Sequence, residues 1–247
     1  MSQTVGAAVM PQSKGVFERL IGVFTSPRET LEDVAARPSF VVPLIALFVV
    51  VVLNGVLMTD INMEYGLEKM RNMSFIPPEA LAKAEADMEQ SLNSPMRFIR
   101  SLFTPIVFGV IWVIVAAVFL FGGNVVMGGE SKFKTVFSVT CWASLISLLE
   151  VLVKTPLMLS QRTPEVYLSL GTLGSAFMEL NTKSFFYRLL NRFDIFTIWQ
   201  LVVYTVGMAA VYKFTNGKAA TVVVGSWIVY SILYLLIGQL FGDFFGA

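Results

Sequence analysis

Residues 104 to 127 read TPIVFGVIWVIVAAVFLFGGNVVM, 24 positions without a charge. A helix needs about 20 mainly apolar residues to cross the hydrocarbon of a bilayer. The stretch therefore reads as a transmembrane helix. Four further runs of similar length accompany it: Phe40 to Thr59, Val136 to Ser160, Phe193 to Phe214 and Thr221 to Phe241. The expected fold class is all-α, a polytopic membrane protein built as a bundle of about five transmembrane helices with interfacial amphipathic helices. Residues 1–39 are expected to form N-terminal cytoplasmic and interfacial helices, and residues 40–247 the five-span membrane domain.

Composition agrees. The 247 residues are 55% hydrophobic and 14% charged, with a mean hydropathy of +0.71, far from a soluble globular domain. Lysine plus arginine (18) nearly equals aspartate plus glutamate (17), so no net field recruits nucleic acid. The single cysteine, Cys141, excludes an intramolecular disulfide framework. The absence of histidine excludes histidine-dependent triads and histidine-ligated metals. No enzyme activity, cofactor or metal is expected. The first long apolar stretch begins near Phe40 with no small-residue cleavage site after it, so no secretory leader is expected.

An odd number of spans places the termini on opposite sides. The short loops carry Lys132, Lys134, Lys213 and Lys218 with only Glu130 opposing them, whereas residues 60–103 hold seven acidic residues. Lysine and arginine in the flanks divide 8 inside against 9 outside for a cytoplasmic N-terminus and so decide nothing by number. The basic short loops, the C-terminal tail without a basic residue and the acidic 60–103 loop favour a cytoplasmic N-terminus and an outside C-terminus in the cell (cytoplasmic) membrane.

Several segments outside the spans carry helical patterns. Val16, Leu20, Val23 and Phe24 share one face while Lys14, Glu18 and Arg19 point elsewhere, which predicts a helix lying in the membrane interface. Ser26-Pro27-Arg28-Glu29 predicts a helix restart with Ser26 as N-cap and Glu29 completing a capping box, running to about Ala36. Pro77-Pro78-Glu79 opens a further helix to about Ser91, with a narrow stripe of Leu81, Ala84, Met88 and Leu92 laid on the membrane or a neighbouring loop. Tyr167 to Leu180 is apolar but too short to cross, and either re-enters or covers the bundle. Phe185, Phe186, Leu189, Leu190 and Phe193 recur opposite Lys183, Arg188 and Arg192. That pattern anchors a helix at headgroup level and makes the three cations candidate lipid-headgroup contacts.

Polar residues inside the spans are where function would show, because a charge in hydrocarbon costs several kcal/mol unless paired or facing a cavity. Glu150 and Lys154 lie i,i+4 with the glutamate first, so they can pair along one helix face. With Asn54, Asn124 and Gln200 they form the candidate intramembrane polar site. The plainer account is that Lys154 reaches the interface near Pro156, Glu150 is satisfied by a neighbour, and the amides bond between helices. Asp194 opens the fourth span, where a carboxylate caps the helix.

Residues Arg19 to Thr30, RLIGVFTSPRET, lead through a proline into the first span. Residues 193–200, FDIFTIWQ, followed by Gly207-Met208-Ala209-Ala210, form the entry to the fourth, and Gly129 to Phe137 precede the third. These stretches resemble the bacterial branch of the Yip (Rab-interacting, Yip-domain) family of integral membrane proteins, over roughly the whole membrane domain. The resemblance implies a five-span bundle with a cytoplasmic N-terminus. For eukaryotic relatives it would imply binding of small GTPases in vesicle traffic, which is not carried over to this chain with its short N-terminal segment. The expected function is a non-enzymatic membrane scaffold or adaptor; the alternative is a small transporter or channel using the intramembrane polar residues. The expected partners are membrane lipids and a membrane-protein partner or second copy of the chain, with no nucleic acid.

Overall fold

A backbone inside hydrocarbon has no water to bond, so an apolar run must close its own hydrogen-bond ladder. The computed structural model describes residues 13–73, 76–92, 94–177 and 184–245. Its helices are α1 (Val16–Thr25), α2 (Pro27–Ala36), α3 (Val41–Arg71), α4 (Pro78–Leu92), α5 (Met96–Phe121), α6 (Phe133–Ala143), α7 (Ile146–Gln161), α8 (Leu170–Phe177), α9 (Phe185–Asn191), α10 (Ile195–Tyr212) and α11 (Asn216–Phe245). A π-helical turn, Gly122–Val126, finishes α5. Among the described residues there is no β-strand, and five stretches are long and apolar enough to cross a membrane: Val41–Arg71, Ser101–Val126, Phe133–Gln161, Ile195–Tyr212 and Asn216–Gly238. The protein is an all-α polytopic membrane protein.

The third stretch is the hub. Its most apolar window is 61% buried, against 17 to 33% for the other four, because α3, α5, α10 and the N-terminal α2 all pack against it. It is also broken, where one continuous helix was expected. Residues Ser144 and Leu145 separate α6 from α7, and Ser147 N–H turns to the Ser144 carbonyl at 3.0 Å. The Ala143 carbonyl, which a continuous helix would give to Ser147, instead accepts from Gln200 Nε2 of α10 at 2.7 Å. The hydroxyls of Ser144 and Ser147 bond the Thr140 and Ser144 carbonyls, the back-bonding that loosens a helix at serine.

The first span is longer than the apolar pattern suggested. α3 continues past Thr59 to Arg71, and at 1.5 Å per residue its 31 residues reach about 46 Å against a hydrocarbon thickness of about 30 Å. The excess leaves the bilayer as a helix. α4 folds back on it, so the expected stripe meets neither bilayer nor loop: Ala84 and Met88 face Met63, Leu67 and Met70 across a small cleft. Arg71 and Glu85 close the hairpin at 2.5 Å.

The N-terminal helices differ most from expectation. Val23, Leu31 and Val34 are buried in the core cluster that holds Val136, Val139 and Met208. Arg19, expected to point away, is buried: Nε meets Asp33 Oδ2 at 2.7 Å, the guanidinium bonds Ser39 Oγ at 2.8 Å, and it lies 5.9 Å over the Trp142 ring. The indole N–H of Trp142 donates to the Ser39 carbonyl at 2.7 Å. A buried guanidinium is tolerable because Asp33 and these acceptors satisfy it. Val16, expected on the buried face, is exposed with Phe17 and Ile21, which leaves an apolar edge of the hairpin for the interface. Ser26 makes no capping bond; Glu29 pairs with Lys14 at 3.2 Å instead. The close approach of α6 and α2 to α10 requires Gly207, where a β-carbon would stand 2.5 Å from Val139 of α6 and 3.3 Å from Leu31 of α2.

Candidate functional site

The broken third span carries the site. Downstream of the break, Glu150 and Lys154 sit one turn apart on α7, and Lys154 Nζ meets Glu150 Oε1 at 2.7 Å. The same ammonium reaches Asp194 Oδ2 at 2.9 Å, tying α7 to the start of α10. Asp194 caps α10, accepting from the Phe196 N–H at 2.9 Å, and its second oxygen also accepts from the Leu168 N–H at 3.2 Å. Capping, expected for Asp194, is thus one of three tasks. The side chains of Lys154 and Asp194 are 12% and 8% exposed and that of Glu150 35%, so Glu150 is the accessible member of the triad.

Glu150 faces a cavity of ≈ 560 Å³ between α3, α5 and α7. Asn54, Asn62, Thr104 and Ser147 line it with Glu150, and Phe108 and Trp112 supply apolar wall. Lys154 does not line it. Asn54 also anchors the wall: its Oδ1 accepts from Thr155 Oγ1 of α7 at 2.7 Å, an interhelical bond of the kind that joins spans.

The remaining candidates lie elsewhere. Gln200 is at the break, on the Ala143 carbonyl. Asn124, in the π-turn, donates to the Ser131 carbonyl of its own loop at 3.0 Å rather than to another span, and its Oδ1 is buried without a partner. The structure thus brings together Asn54, Glu150 and Lys154, and separates them from Asn124 and Gln200.

Of the three cations, Lys183 lies outside the described residues. Arg188 is exposed on α9. Arg192 stacks over Tyr234 at 4.7 Å and Tyr230 at 5.3 Å. The loop before α10 is tied to the same corner: Leu170 N–H donates to the Phe193 carbonyl at 3.0 Å and Ile195 N–H to the Leu168 carbonyl at 3.1 Å. Two groups escaped the sequence reading as site members. Thr155 carries no signal of its own, whereas the acid of Asp194 near a span end was a signal that distance along the chain concealed.

A family model described as the Yip1 domain matches residues 21–238. The membrane protein YknW of Bacillus subtilis (strain 168) is 22% identical over 226 residues, which cover 90% of this chain and 92% of the relative. No solved structure matches.

Proposed function

The chain belongs to the Yip1-domain family of membrane proteins, and from that premise we propose that it is a non-enzymatic scaffold, or adaptor, of the cell (cytoplasmic) membrane, N-terminus cytoplasmic and C-terminus outside. The observation that carries the reading is the arm made by α3 and α4. A helix that leaves the bilayer unbroken transmits the position of the membrane domain to whatever docks on its end. The arm is braced at its base, where Arg162 meets Glu64 at 2.7 Å and the Tyr65 hydroxyl donates to Glu165. Its cleft of ≈ 300 Å³ is lined by Met63, Met70 and Met88 with Leu67 and Ala84. Thioether side chains re-pack around an apolar partner surface at low energetic cost, which suits an adaptor.

The test is purification in native nanodiscs with mass spectrometry of bound protein, for the wild-type chain and for Met63→Glu with Met88→Glu. A stoichiometric membrane-protein partner, or a second copy, that is lost in the double variant is the expected result. Retention unchanged by the variant would remove the arm from the proposal.

One observation favours a second reading, a small transporter or channel: the polar cavity that Glu150 lines with Asn54, Asn62 and Thr104. Uptake of a cation into proteoliposomes, abolished in Glu150→Gln, would establish it. The closed Lys154 triad, which holds α7 and α10 together, weighs toward the scaffold.

A further inference from the structure

A second cleft lies between α5, α10 and α11 on the lipid-facing side of the bundle. Its volume is ≈ 500 Å³ and its walls are almost wholly apolar, formed by Ile111, Val115 and Phe119 of α5, Leu201 of α10, and Val223 and Tyr230 of α11. Tyr230 stands 14 residues into α11, about 21 Å at 1.5 Å per residue. The cleft is therefore at hydrocarbon depth, and its Tyr230 end lies toward the surface opposite the N-terminus.

That end carries a cation. Arg192 lies over the rings of Tyr230 and Tyr234, and Phe193 beside it packs edge-on against Trp227 at 4.9 Å, so aromatic faces surround the cation. The Arg192 Nε is buried without a hydrogen-bond partner, and among the described residues no carboxylate forms an ion pair with this side chain. A guanidinium held by ring faces and short of acceptors is a ready partner for an anionic oxygen.

We propose that this cleft is a specific site for an anionic phospholipid, one acyl chain lying along Ile111, Val115, Phe119 and Val223 while a headgroup phosphate not neutralised by a cation of its own pairs with Arg192. The occupant is a lipid rather than a helix of another chain because the apolar groove ends at a guanidinium with a buried, unpartnered Nε, and an acyl chain joined to an anionic headgroup matches both. A methylene chain is also the solvent at this depth. The inference is independent of the scaffold proposal, since it concerns neither the arm nor its partner.

The test uses the purified full-length protein in detergent, titrated with dioleoyl phosphatidylglycerol or dioleoyl phosphatidylcholine and read by native mass spectrometry. One phosphatidylglycerol per chain is expected to remain bound at tenfold lower lipid concentration than phosphatidylcholine. Arg192→Gln should remove that preference, and Arg192→Lys should keep part of it. Val118→Trp, which fills the cleft from its open side, should lose the bound lipid while staying monodisperse, and it serves as the test should Arg192→Gln fail to fold. Water-soluble glycerol phosphate at the same concentration should not displace the lipid, because the chain supplies the apolar contact. Equal retention of the two lipids, retention unchanged in Arg192→Gln or in Val118→Trp, or displacement by glycerol phosphate would overturn the assignment.

Discussion

Lys154 on α7 and Asp194 at the head of α10 meet at 2.9 Å, although 39 residues and the loop with α8 and α9 separate them in the chain. The pair fixes the third span against the fourth and closes the loop between them, because the same carboxylate holds the Leu168 and Phe196 amides.

Removing Asp194 leaves a buried ammonium short of a partner and two amides unsatisfied. Asp194→Ala is expected to destabilise by about 3 kcal/mol. Glu150→Gln, at the half-exposed end of the triad, should destabilise by about 1 kcal/mol or less. Reversible unfolding in mixed micelles measures both, and equal losses would contradict the ranking of the two carboxylates.

The N-terminal hairpin gives stability a pH dependence. Burial alone would raise the Asp33 carboxyl, but hydrogen bonds from Arg37 and Arg19 and the charges of both override it and hold the group below its ordinary value. A carboxyl depressed in the fold contributes stability that is complete above the unfolded value of about 3.9 and is lost as pH falls through the folded value. Thermal unfolding of the wild-type chain should therefore hold steady from pH 7 to about 5 and fall below about 4. Asp33→Asn should destabilise by about 3 kcal/mol at neutral pH and flatten the acid limb, which a thermal series across that range would check.

Much of this architecture was legible in the chain. Long apolar runs announce the spans, Pro27 and Pro78 announce the starts of α2 and α4, and Asp194 announces a cap. The extension of α3 was not legible, because Asp60, Glu64 and Glu68 mark the end of the apolar face and say nothing about the end of the helix: water supports helical backbone as well as lipid does. Nor was the burial of Arg19. Its partners Asp33, Ser39 and Trp142 are 14, 20 and 123 positions away, and a charge on an amphipathic pattern reads as solvated unless a partner is already known. The break at Ser144 left only a faint trace in the hydroxyls of Thr140, Ser144 and Ser147.

Gln200 supports that break. Gln200→Leu leaves the Ala143 carbonyl unpaired inside the bundle and is expected to destabilise by roughly 1 to 3 kcal/mol. Restoring an ordinary helix there, by contrast, would need the break itself to close, so a neutral Gln200→Leu in the same unfolding assay would argue that α6 and α7 can join.

Orientation is accessible to thiol labelling, since the native Cys141 is buried. Lys83→Cys on α4 should react with a membrane-impermeant maleimide in intact cells, and Lys132→Cys before α6 only after the membrane is opened. The reverse pattern would invert the topology.

The scaffold reading is tested most directly by photo-crosslinking from the arm in living cells, with a photoreactive side chain at Met88 and, as control, at the lipid-facing Val49 of α3. A single discrete protein adduct from Met88, absent from Val49 and from Met88 paired with Met63→Glu, is the predicted result. Adducts that are absent from Met88, or equal from both positions, would contradict the account.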